Sequence, residues 1–407
     1  MKPAKFSPAH SNENLAEIVC SNSFKSNLIT NACGLLKQEL RILGSELIAI
    51  ADEVSVPAGQ ALAVDREKFA TQVTKKIESN KNINVIREEV TKIPEGKIVV
   101  IATGPLTSDK LSKEILKLTG EDNLFFYDAV APIIEKETID MEIGFFGDRY
   151  GLETRGQRLE TRGEGSYINL PMSRQEYEIF WNELVNAEVA ELHEFEKREI
   201  FEGCMPIEIM ASRGEETLRF GPLKPVGFTD QRTGKRPYAI VQLRQDNIKG
   251  NLFNMVGFQT NLKFGEQKRV FSLIPGLKNA NFIKYGVMHK NTYINSSKLL
   301  DNTYNLKSNN NIFFAGQLTG VEGYVESISS GLLAGINVAN KILGKEKFVM
   351  SDETMIGALA KYVSTENDKF QPMNANFGIL PELEEKIKDK KLKYEKLAKR
   401  AIEKIEP

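Results

Sequence analysis

Residues 311–343 read NIFFAGQLTGVEGYVESISSGLLAGINVANKIL. Ile312 to Ala315 is a short apolar run of strand type, Gly316 and Gly320 mark a turn, and the spacing predicts a helix from about Val325. Small residues on that helix, Ser329, Gly331, Ala334 and Gly335, permit close approach of a backbone or a ligand. The same grammar stands upstream in INVIREEVTKIPEGKIVVIATGP, residues 83–105: a strand, a turn at Pro94 to Gly96, and a second strand, Ile98 to Ala102, closed by Thr103 and Gly104. Before it, DREKFATQVTKKIES offers Asp65 as an N-cap and sets Phe69, Val73 and Ile77 on one helical face. Such alternation predicts a doubly wound α/β domain.

Between these two halves lie an amphipathic helix, Arg174 to Ala187, and β-like runs, YAIVQLRQ from Tyr238 and LFNMVGFQ from Leu252. The expected organisation is therefore a discontinuous domain of residues 1–130 and 271–345, an inserted α+β domain of residues 131–270, and a C-terminal segment of residues 346–407. A loop insertion is expected over residues 144–165, where LETRG occurs twice, at Leu152 to Gly156 and Leu159 to Gly163. From Pro381 the chain reads as a charged helix, with Leu383, Ile387, Leu392, Leu397 and Ile402 as a thin apolar stripe.

With 407 residues, 41% hydrophobic and 27% charged, the chain has the composition of a folded protein of two or three domains. Lys plus Arg number 54 against 55 Asp plus Glu, so RNA or membrane attraction must be local. No apolar run approaches the roughly 18 residues of a membrane helix. Three cysteines with no secretory leader suit a cytoplasmic chain with free thiols.

Two Gly-rich strand ends, Ala102-Thr103-Gly104 and the turn after Ala315, suggest a flavin site, because a strand end and the following helix N-terminus can meet a flavin and its pyrophosphate. The dinucleotide fingerprint G-x-G-x-x-G does not occur near Met1. The cysteines, Cys20, Cys33 and Cys204, match no zinc spacing, and no metal is expected. Cys33 precedes the apolar pair Leu35 and Leu36 and reads as a small buried hydrophobe, whereas Cys20 and Cys204 lie in polar loops and are candidate nucleophiles. His10, His193 and His289 form no catalytic signature. Basic residues concentrate from Arg213 to Lys249, including Arg219, Lys224, Arg232, Lys235, Arg236 and Arg244, with Tyr238 interleaved; this suits a phosphate-gripping surface or a solvated face.

Longer strings are more specific. CSNSFKSN (20–27), NACGLLKQEL (31–40), VPAGQALAVDR (56–66), FYDAVAPI (126–133), FEGCMPIE (201–208), GPLKPVGFTDQRTGKRPYAIVQLRQD (221–246), GFQTNLKFGEQKRVFSLIPGL (257–277) and FFAGQLTGVEGYVESISSGLLAG (313–335) closely resemble the folate- and FAD-dependent tRNA (uracil-5-)-methyltransferase family, TrmFO, a cousin of the GidA-type tRNA-modifying flavoproteins. The resemblance implies a Rossmann-like FAD-binding domain of the GidA/TrmFO type. It also implies 5,10-methylenetetrahydrofolate as carbon donor, reduced FAD recharged by NAD(P)H, and the T-loop uridine of tRNA as acceptor. By motif match Cys204 is the thiolate that adds to uracil C6, Cys20 stands beside the flavin, and Tyr324 lies close to Cys20. Ala102, Thr103, Gly104, Gly316, Gln317, Gly320, Glu322 and Gly323 are the implied flavin contacts; Lys224, Lys235, Arg236 and Arg244 are the expected RNA contacts. Family members open with a G-x-G-x-x-G unit ahead of a Met-Arg/Lys-Pro string, and Met1-Lys2-Pro3 sits at that string, so about 30 residues are expected to precede it. A ribosomal RNA methyltransferase of the same chemistry and a non-catalytic RNA-binding protein are the alternatives.

Overall fold

The computed structural model describes residues 6, 10–121, 124–148, 165–190, 205–368 and 370–405. The LETRG repeat, His193 and Cys204 lie outside the described residues.

The strand expected at Ile98 to Ala102 forms as Val99–Ile101, and it pairs in parallel with Asn309–Phe314 in the register Val99↔Ile312, Val100↔Phe313 and Ile101↔Phe314. This ladder sets Gly104 and Gly316 at the same end of one sheet. Ala315 extends the junction by donating its N–H to Ile101 O at 3.0 Å. Helix Tyr324–Ile342 follows, tied back by Ser330 Oγ, which accepts from Gly316 N at 2.8 Å. The expected strand at the start of residues 83–105 does not form. Ile83, Ile86 and Val90 stay exposed, because among the described residues no strand pairs with this segment.

Helix Arg66–Glu78 starts where the sequence places it, with Asp65 accepting from Lys68 N. Its Phe69 and Val73 join helix Ala32–Ile42 in the first core. That core also takes residues from the 309–342 unit, from helix Met355–Ser364 and from helix Lys390–Glu403. The last helix begins nine residues later than Pro381, and it buries Leu397, Ala398 and Ala401 while Leu392 stays exposed.

The second core lies on an antiparallel six-stranded sheet. In lateral order its strands are Phe282–Lys284, Ile133–Glu135, Leu252–Met255, Ala239–Gln245, Tyr167–Met172 and Phe145–Gly147. Helix Arg174–Val185, opened by the Ser173/Glu176 capping box, covers one face. Phe271, Ile274, Leu277 and Phe282 belong to this second core, so the chain rejoins the first one beyond residue 271. Period-2 alternation divides the sheet: Ile168, Leu170, Val241, Leu243, Phe253 and Met255 face the core, and Tyr167, Asn169, Gln242, Arg244 and Asn254 point the other way.

Candidate functional site

A cavity of about 1290 Å³ opens where the parallel strand pair, the 324–342 helix and the polar side of the large sheet converge. Its wall includes Cys20, Ala102, Thr103, Gly104, Gly316, Gln317, Glu322, Gly323 and Tyr324, so residues 300 positions apart in sequence meet around one space. Gly320 does not line it. It sits at φ +81°, and an added Cβ would lie 2.5 Å from the Phe370 ring, so its role is the turn and the packing beneath it.

Cys20 and Tyr324 are in direct contact. The Cys20 N–H donates to the Tyr324 hydroxyl oxygen at 3.0 Å, and Cys20 Sγ lies 2.8 Å from the same oxygen. Burial and the neighbouring Cys20 push the Tyr324 phenol well above the ordinary tyrosine value. The phenol therefore keeps its proton at neutral pH, and its oxygen shares a hydrogen bond with the sulfur besides accepting from the backbone. Cys33 behaves differently: it is buried and its thiol is pushed up to about 11, chiefly by burial and then by Glu326. Such a thiol is inert packing.

Two features of the cavity suit an anionic group of a cofactor. Gly316 at φ +74° has nothing within 4 Å of an added Cβ, so its backbone faces open space. Gly323, at φ +122°, begins the 19-residue helix with no side-chain cap, which leaves first-turn N–H groups and the positive end of the helix dipole for a ligand. Gln317 and Glu322 hold each other by a side-chain hydrogen bond, and Asn374 Nδ2 fixes the Glu322 carbonyl at 2.7 Å.

A cationic group stands beside Cys20 that motif reading assigns elsewhere or misses. Arg244, read above as an RNA contact, is 6% exposed; its Nη2 donates to Ser21 Oγ at 2.6 Å and its Nε to Asn22 Oδ1 at 2.9 Å. Burial pulls this guanidinium below its ordinary value. It is a cavity residue, directed inward because it falls on the polar side of the sheet. The alternation in YAIVQLRQ, with Gln242 and Arg244 between apolar Val241 and Leu243, carries that signal. Arg66 Nε pairs with Asp246 at 2.9 Å, and its Nη1 donates to Ile18 O. Lys284 is pulled down by burial and by Arg66, and Cys20 is among the groups that oppose this.

Lys235 and Arg236 are exposed and Lys224 is half-buried. Arg219 and Arg232 are already engaged by acids within the chain, Arg219 by Glu216, and Arg232 by Asp230 and Glu176. Among the described residues, no group of three or more His, Cys, Asp or Glu is placed to hold a metal ion, and no helix is long and apolar enough to cross a membrane.

The family model "Glucose inhibited division protein A" matches residues 5–346. A methylenetetrahydrofolate--tRNA-(uracil-5-)-methyltransferase TrmFO of Fusobacterium nucleatum is 57% identical over 403 residues, covering 99% of this chain and 91% of its own length. The protein of the same name from Acetivibrio thermocellus is 58% identical over 403 residues, with 99% and 90% covered. Among solved structures, Aquifex aeolicus GidA in its form II crystal superposes with a TM-score of 0.65 at 17% identity, over 95% of this chain and 66% of that one, which shows a shared α/β fold. Identity above half along nearly the whole length, within a fold shared with GidA, makes the assignment unambiguous: the chain belongs to the GidA family and, within it, to the TrmFO methyltransferases.

Proposed function

We propose that this chain transfers the one-carbon unit of 5,10-methylenetetrahydrofolate to C5 of the T-loop uridine of tRNA, in the cytoplasm. The observation that carries the reading is the Cys20–Tyr324 pair, set on the same cavity wall as the glycine strand ends. FAD bound there supplies the reducing equivalents that complete the methyl group, with NAD(P)H as their source. Ala102, Thr103, Gly104, Gly316, Gln317, Glu322 and Gly323 are the residues that would hold it. Their supporting features are the backbone freedom of Gly104 and Gly316 and the uncapped helix start at Gly323.

The chain's own contributions divide as follows. The Tyr324 hydroxyl accepts from the Cys20 N–H and lies 2.8 Å from Cys20 Sγ, and so fixes the direction in which that sulfur faces the cavity. Cys204 is the thiolate that adds to uracil C6 and makes C5 nucleophilic. Lys224, Lys235 and Arg236 are read as RNA phosphate contacts. Residues 1–130 form the FAD-binding domain with the segment that returns after the insertion; core membership favours a return near residue 286.

The test follows label from methylenetetrahydrofolate into tRNA and ribosomal RNA transcripts, and maps by peptide mass the adduct formed with RNA carrying 5-fluorouracil. Cys204→Ala is expected to abolish both methylation and trapping, and Cys20→Ala to abolish methylation. An adduct on Cys20 that persists in Cys204→Ala reverses the two roles. Label entering ribosomal RNA alone replaces the substrate, and no transfer to either RNA defeats the enzymatic reading.

A further inference from the structure

Residues 18–22, which carry Cys20, belong to no helix or strand, so side chains rather than a ladder hold them. Arg244 does most of this work: its Nε donates to Asn22 Oδ1 at 2.9 Å and its Nη2 to Ser21 Oγ at 2.6 Å, so one edge of the guanidinium grips two successive residues beside the thiol. Ser21 Oγ also accepts from the Ser23 N–H at 3.2 Å, the local turn that serine side chains favour. A hydroxyl oxygen has two lone pairs and one proton. Both lone pairs of Ser21 are thus taken, and the proton is left. It cannot turn toward Arg244 or Ser23, which present hydrogens of their own. Among the described residues no acceptor lies within hydrogen-bond reach of it, whereas Ser21 lines the cavity and keeps part of its surface open.

We infer that Ser21 is a ligand-binding residue of the cavity: its hydroxyl, held as a donor by Arg244 and Ser23, hydrogen-bonds an acceptor atom of the fused, carbonyl-bearing ring bound there. The flavin and the pterin of folate are both of this class, and the inference rests on the reading of function given above. Arg244 is 6% exposed, and at Ser21 and Asn22 it meets neutral oxygens rather than a carboxylate. A hydroxyl that accepts from such a cation is polarised by it and donates more strongly in turn. The gain is largest for an acceptor on which negative charge grows, as on the carbonyl oxygens and ring nitrogens of a flavin that takes up electrons. Position agrees with a ring ligand. Cys20, the preceding residue, is tied through both its N–H and its sulfur to Tyr324, the first residue of the helix whose start is among the proposed flavin contacts.

The experiment measures the midpoint potential of the bound flavin and the affinity for tetrahydrofolate in the wild type, Ser21→Ala and Ser21→Thr. Melting temperature and the rate of Cys20 alkylation by iodoacetamide, mapped by peptide mass, are followed alongside. Ser21→Ala is expected to shift the reduced-to-oxidised equilibrium of the flavin about tenfold toward the oxidised form, about 30 mV for a two-electron couple. Ser21→Thr, which keeps the hydroxyl, should stay within about threefold of wild type. A roughly tenfold loss of tetrahydrofolate affinity with an unmoved potential also supports the donor and assigns its acceptor to the pterin. Unmoved potential and unmoved folate affinity in folded Ser21→Ala overturn the inference, leaving the hydroxyl to ordered water. A change that Ser21→Thr fails to restore, or that comes with altered alkylation of Cys20, overturns it as well, since Ser21 then acts by shaping the loop. Should Ser21→Ala not fold, Ser21→Gly, which removes the hydroxyl without setting a methyl group against Arg244, is read in the same way. A wild-type protein that binds neither flavin nor tetrahydrofolate removes the functional reading itself, and that failure shows before any substitution is made.

Discussion

Tyr324 and Cys33 show how two residues near one helix start serve different ends. The Tyr324 hydroxyl accepts from Cys20 N and meets Cys20 Sγ, so Tyr324→Phe deletes both interactions while keeping the ring against Phe24, 5.6 Å away between centroids. Its stability cost is therefore about 1 kcal/mol, that of one hydrogen-bonding group. Methyl transfer should fall by a factor on the order of 100, as for loss of a positioned proton-bearing group. Single-turnover transfer alongside thermal melting checks both numbers. Cys33→Ala is the internal control: its thiol touches Glu326 Oε1 only weakly, at 3.7 Å, and turnover should stay near wild type. The distinction between the two cysteines was legible in the sequence, since Cys33 precedes an apolar helical face and Cys20 lies among Ser and Asn. The phenol's second bond, to the Cys20 backbone, was not, because it depends on a loop conformation that no residue spacing encodes.

Helix starts are the elements on which the cavity and the first core depend. Gly323 occupies φ +122°, and a Cβ there would lie 2.2 Å from Glu326 Oε2. Gly323→Ala should destabilise the protein by about 1–3 kcal/mol and lower its flavin content, read from the ratio of flavin to protein absorbance. Helix Met355–Ser364 is capped from a distance: the Glu39 carboxyl, buried within helix Ala32–Ile42, accepts from Met355 N at 2.7 Å and Ile356 N at 2.8 Å. Burial pushes Glu39 up to about 8 from an ordinary 4.5, against the two N–H donors that favour its charged form. Between those values the folded protein holds a proton that the unfolded chain has released. Stability from this group is thus complete below the lower value and is lost as pH rises through about 8. Urea midpoints across that range should decline in the wild type and decline less in Glu39→Gln. This distant cap was not readable from local sequence, because Glu39 and Met355 are 316 positions apart. Local caps such as Asp65 were readable, since the side chain and the N–H it accepts from are three residues apart.

At the scale of the whole molecule, two apolar cores are joined by a polar seam. Asn22 Nδ2 donates to both Val64 O and Gln245 O, Arg66 pairs with Asp246, and Asp65 Oδ2 accepts from Ile248 N at 2.8 Å. The seam explains why Arg244 misled a reading by composition: it counts toward a basic run in sequence but faces inward in the fold, where the strand alternation puts it. Lys235 and Arg236 of that run are exposed and Lys224 is half-buried, and Phe220, four positions before Lys224, is 80% exposed. An exposed ring four positions from Lys224 is suited to a nucleotide base flanked by phosphates. Replacing Lys224, Lys235 and Arg236 by Gln should weaken tRNA binding and reduce the slope of log affinity against log salt by roughly one for each phosphate no longer neutralised. Phe220→Ala should weaken binding by about 1–3 kcal/mol without changing that slope, because stacking releases no counterions. Replacing Arg232 should leave the slope alone, since Asp230 and Glu176 already neutralise it. Salt titrations of all three variants separate the surface from the seam: a slope that changes with Arg232 but not with Lys235 and Arg236 would place the RNA on a different face of the protein.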